Sequence, residues 1–201
     1  WLAYEMREGK LVQLKSFKLV PDKPRELLLW LEAGVSVSPE LPADPVTIVH
    51  MLGRDSVAYS RSLGALKSLW AAHSHDPDLL LKRDLWGDLL AHVYGKTLDE
   101  EELWFQHTYL TIIAKTIALA VLEQPPSSAR DLLSGRLMRD AGISGAVESD
   151  FFDWVLCAKE GEALVERIAR QVARLKLAHV DRDVLKTLYE SLIDPQQRHE
   201  L

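Results

Sequence analysis

The chain has 201 residues, 47% of them hydrophobic, enough to bury a core in one domain or in one domain with an appendage. Its 24 basic and 30 acidic residues leave a formal charge of −6, which argues against this chain being a main phosphate-binding surface. The one cysteine, Cys157, excludes an internal disulfide framework and fits a reducing cytoplasm, and no apolar run reaches the roughly 18 residues of a membrane span.

Strand character is confined to Lys10–Val20, "KLVQLKSFKLV", where apolar residues and lysines interleave ahead of a Pro21-Asp22 turn. Pro24 then opens a helix closed by Gly34, the usual placement of these two residues. After the loop "VSVSPELPA" the pattern is helical nearly throughout. Asp44-Pro45 caps "PVTIVHMLG", a helix follows from Ser56 to Ala72, and Asp76-Pro77 caps another that ends at Gly95.

The longest helix runs from about residue 99 to 123, ahead of Pro125-Pro126. Its stripe of Leu103, His107, Leu110, Ile113, Ile117 and Val121 has further apolar neighbours on its other faces, including Trp104, Ile112 and Leu119. A helix apolar almost all round is a central one, so it should be the hub of the fold. A short helix follows Ser127-Ser128, and "LMRDAGISGAVES" reads as irregular. Helices are then predicted at 150–159, 162–175 and 181–193. The expected fold class is all-α (mainly α), a multi-helix domain with at most a short β element near 10–20. Residues 1–43 are an N-terminal strand and helix segment of the same unit, and 44–201 the helical domain. Six tryptophans, spread from Trp1 to Trp154, should mark packing between these elements.

Chemistry-bearing patterns are sparse. The glycines are scattered and form no phosphate loop. Of seven histidines only His73 and His75 lie close together, too few for a metal centre. His107 fits a hydrogen-bonded core position, and Cys157, in "FFDWVLCAK", fits buried filler. Gln13 and Lys15 repeat the acid-then-lysine spacing of metal-dependent nuclease strands, although only Glu5 and Glu8 precede them and glutamine is a poor metal ligand. Arg167, Arg170 and Arg174 recur at helical spacing and are candidate DNA contacts. No catalytic, cofactor-binding or metal residue stands out.

Three stretches carry a family resemblance: "LWFQHTYLTIIAKTIALAVL" from Leu103, "GISGAVESDFFDWVL" from Gly142, and "DVLKTLYESLIDPQQRHEL" from Asp183. Together they resemble the helical region upstream of N6-adenine DNA methyltransferase domains, in the large, often fused enzymes of restriction–modification and phage defence. The match covers Leu103 to Leu201, with residues before Gly95 matching more loosely. The resemblance implies a parent protein that transfers a methyl group from S-adenosylmethionine to adenine in DNA. It also implies a C-terminal stretch that runs on into a methyltransferase domain absent from this chain. That domain and DNA are the partners expected. The family's Asn-Pro-Pro-aromatic tetrapeptide is missing: "QPPS", Gln124 to Ser127, has the prolines without the amide or the ring that adenine chemistry needs. These residues alone should therefore be inactive and hold no cofactor.

Overall fold

The computed structural model describes residues 1–7, 10–18, 20–21, 23–35, 41–94, 101–143, 151–177 and 184–193. The fold is mainly α, with two small two-stranded sheets. An antiparallel hairpin opens the chain, β1 (Leu2–Arg7) pairing with β2 (Lys10–Ser16). The strand thus ends at Ser16; Phe17 still exchanges backbone bonds with Trp1, at 2.8 and 2.9 Å, and packs its ring 5.6 Å from that of Trp30. The partner strand β1 is an addition to the sequence reading.

Helices α1 (Pro24–Val35), α2 (Pro45–Leu52), α3 (Val57–His73) and α4 (Pro77–Tyr94) follow. Their starts obey local chemistry. Asp44 accepts from the Thr47 amide at 2.9 Å and the Thr47 hydroxyl at 3.0 Å, and Ser56 accepts from the Tyr59 amide at 3.0 Å. The two amide bonds satisfy donors that the first helical turn leaves open.

The hub is α5 (Glu101–Val121), within the expected span. Leu103, Trp104, Phe105, Tyr109, Ile112, Ile113 and Leu119 are buried on successive faces, so neighbours surround it. It packs against α3, α8 (Lys159–Val172), α9 (Val184–Leu192) and the short helix α6 (Ala129–Leu133). Tryptophans from four elements meet beside it. Trp104 stacks on Trp154 at 6.0 Å, Trp70 meets Trp154 edge-on at 5.4 Å, and Trp86 lies 5.1 Å from Trp104. The dispersed rings therefore weld distant elements into one core. The apolar face of α9 closes the bundle, burying Val184, Leu188 and Leu192, and packs on α2 and α5.

Three local readings change. Within the stretch expected to be irregular, α7 (Arg136–Asp140) forms, because Gly135 takes φ 69° and redirects the chain before it. Arg136 then bridges Asp131 at 2.6 Å and Asp140 at 3.4 Å. The helix expected at 150–159 is a 3-10 helix over Phe151–Cys157, and α8 starts at Lys159, ahead of its predicted start. That helix ends at Val172, and Leu175, its predicted last residue, instead opens β4 (Leu175–Lys176), paired in parallel with β3 (Leu41–Pro42). Residues 178–183 and 194–201, which include the polar end of the third resembling stretch, lie outside the described residues.

Candidate functional site

The arginine stripe divides once it is folded. Arg167 is half-buried and lines, with Arg61, Tyr109 and Gln171, a cavity of about 20 Å³ between α3 and α8. That volume holds about one water. Arg170 is exposed one turn on and lies 3.7 Å from Glu166. Arg174 stands beyond the end of α8, its Nη1 donating to Gln171 Oε1 at 3.2 Å, while its carbonyl accepts from the Leu41 amide at 2.8 Å. The three thus meet three different surroundings, and Arg170 is the one presented to solvent.

Arg170 also borders an apolar cleft of about 510 Å³. Leu119 and Ala120 of α5, Pro125, Pro126, and Ala169 and Ala173 form its walls, with Gln124 and Glu123 beside them. The local sequence explains the shape. The α5 helix stops when Glu123 takes φ 55°, and the Gln124 amide reaches back to the Leu119 carbonyl at 2.9 Å. The Glu123 amide bonds Ala120 O at 3.2 Å, completing a Schellman-type ending, and the two prolines cannot continue the helix. "QPPS", which lacks the methyltransferase tetrapeptide's chemistry, thus serves as a helix stop and a cleft wall. Sequence reasoning found the stop but not the cleft, because the opposing wall comes from α8, more than 40 residues away.

Gln13 and Lys15 lie on the hairpin. Gln13 accepts from the Tyr4 hydroxyl at 3.5 Å, and Lys15 sits 3.6 Å from Asp55, whose side chain is 98% exposed. One solvated acid is therefore near the lysine. Among the described residues, no group of three His, Cys, Asp or Glu is placed to share a metal ion.

Cys157 is exposed, contrary to the buried position its apolar setting suggests. The tight 3-10 winding gives the core positions to Trp154 and Val155 and turns Cys157 outward. Partial burial, with Asp76 and Glu160 nearby, raises its thiol pKa, so it remains protonated at neutral pH. His73 and Glu160 border a separate cleft of about 580 Å³ between α3 and the start of α8, lined mainly by Ala65, Leu69, Ala72 and Leu164.

Buried polar groups serve packing. Tyr109 donates to Leu52 O at 3.0 Å, Trp154 Nε1 donates to Thr108 Oγ1 at 2.9 Å, and the buried Lys115 ammonium donates to Leu133 O at 2.9 Å. These bonds tie α5 to α2, to the 3-10 helix and to α6. His107 is a core residue as expected, between Trp86 at 5.6 Å and Phe152 at 6.2 Å, but its Nε2 finds no hydrogen-bond partner. Burial lowers its pKa to about 4, so the imidazole is neutral at pH 7. No helix among the described residues is long and apolar enough to cross a membrane. Compared with family models, curated proteins and solved structures, the chain gives no match to any of them.

Proposed function

We propose that this chain is a non-catalytic helical domain of an S-adenosylmethionine-dependent, adenine-specific DNA methyltransferase of a restriction–modification or phage-defence system. Its role is to position the catalytic domain over DNA or to connect it to other modules. The observation that carries this reading is the use made of α5. One of the three resembling stretches, Leu103 to Leu122, forms the hub, and its polar side chains at Thr108, Tyr109 and Lys115 bond neighbouring elements. Such a helix transmits position and holds its neighbours rigid, as a support for a site elsewhere must. Methyl transfer would need the amide and the aromatic ring that "QPPS" lacks. Equilibrium dialysis of residues 1–201 against labelled S-adenosylmethionine tests the assignment. No retained cofactor is expected, and saturable binding would place cofactor chemistry in this chain and overturn the reading.

A second reading, direct DNA contact, draws on the solvent position of Arg170 beside the α5–α8 cleft. Here duplex binding should weaken with salt, and Arg170→Glu should reduce it more than Arg167→Glu. Equal loss from both variants would point away from an Arg170-centred contact.

A further inference from the structure

The small cavity between α3 and α8 brings together side chains of one charge. Arg61 of α3 and Arg167 of α8 line it from facing helices, with the Ser62 hydroxyl and the Gln171 amide beside them. Among the described residues that line it there is no carboxylate. Leu52 and Ile168, which are 0% and 2% exposed, make part of its wall apolar. Tyr109 closes the α5 side, its hydroxyl proton already given to Leu52 O at 3.0 Å. Ser62 is buried, whereas Arg61, Arg167 and Gln171 are half-buried, so the cavity is reached from the surface. Both arginines have interaction partners of their own in the fold, which fix them as walls.

We infer that this cavity binds a monovalent anion of about chloride's size, held between the two guanidinium groups with Ser62 and Gln171 as neutral donors. Two cations that face one small, partly apolar space repel each other, because water screens them poorly there. A single anion between them replaces that repulsion with two attractions. Guanidinium groups are weakly hydrated and give up water for an anion more readily than an ammonium does. Volume sets the size of the ligand. About 20 Å³ is room for roughly one water, which admits a halide and is too small for the four oxygens of phosphate. The net charge of −6 points the same way, since an acidic chain disfavours multivalent anions most. Bound there, the anion braces α3 against α8. The inference is independent of the methyltransferase reading, and it gives Arg167 a role other than DNA contact.

Thermal unfolding of the chain at constant ionic strength, with sodium gluconate replaced stepwise by sodium chloride, tests the site. With a dissociation constant on the order of 10 mM, about 50 mM chloride raises the melting temperature by roughly 2–4 °C over gluconate alone. The rise should saturate and be lost in Arg167→Gln. Binding is read separately from the chloride magnetic resonance line, which the chain should broaden. Bromide should restore the narrow line, and phosphate at the same ionic strength should not. In crystals soaked with bromide, anomalous scattering should place an ion between Arg61 and Arg167, a result that needs no variant to fold. Equal melting temperatures in chloride and gluconate overturn the inference, as does a chloride effect that survives in Arg167→Gln. So does competition by phosphate as strong as by bromide, or a water alone in this cavity in the bromide crystals.

Discussion

His107 sits in the core with an unbonded ring nitrogen, and that arrangement makes stability depend on pH. The folded chain holds the imidazole neutral down to about pH 4, whereas the unfolded chain takes up its proton near 6.5. The unfolded state therefore binds more protons between these values. The contribution is complete above about pH 6.5 and is lost as pH falls through 4, by up to about 3 kcal/mol. His107→Phe should flatten the difference between urea-unfolding free energies measured at pH 7 and pH 4.5. If the wild type shows no such difference, the neutral buried imidazole is wrong. The sequence placed His107 in the core through its position on the stripe. It could not show the missing partner, because Trp86 and Phe152 reach the ring from α4 and the 3-10 helix.

Glycines separate in the same way. A Cβ on Gly161 would lie 1.7 Å from Val155 O and 2.9 Å from Leu69 Cδ2, so Gly161→Ala should cost about 3 kcal/mol or more. Gly87, in the middle of α4, has nothing within 4 Å of the corresponding position. Gly87→Ala should stabilise by about 0.5–1 kcal/mol through helix propensity. Chemical denaturation of the two variants gives opposite signs if the Val155 carbonyl packs on Gly161 in this way, and equal small effects if it does not.

Among elements, most helix starts were legible because the signals are local: Asp44-Pro45, Ser56, Ser128 and Pro77 each act on their own first turn. What the sequence hid depends on distant partners. Strand β1 has apolar Leu2, Tyr4 and Met6 at alternate positions, but these face solvent and not the core, and its ladder is set by β2. The pairing of β3 with β4 joins residues more than 130 positions apart. The 3-10 helix keeps helical periodicity but winds more tightly, which is why Cys157 faces outward. The end of α5 offers a test at this scale. Glu123 occupies the left-handed conformation that glycine prefers, so Glu123→Gly should raise stability by about 0.5–1 kcal/mol. A loss of stability would mean that the Glu123 side chain supports the cleft beside Arg170.

The whole molecule joins a helical bundle to a tryptophan core, with Thr108, Tyr109 and Lys115 linking α5 to its surroundings. The mainly α class and the hub followed directly from the apolar belt around residues 99–123. The clefts did not, since each requires α8 to lie across α3 or α5. Of the candidate contacts, the arginines had the spacing of one helical face, but the end of α8 at Val172 separates Arg174 from the other two. We propose that this domain supports adenine methylation without performing it. The most direct measurement is transfer of tritium from labelled S-adenosylmethionine to adenine N6 in duplex DNA, by the parent protein with and without residues 1–201 and by these residues alone. Transfer is expected from the intact parent, with a large loss when the helical domain is removed and none by the domain alone. Transfer by residues 1–201 alone, or an undiminished rate in their absence, would contradict it.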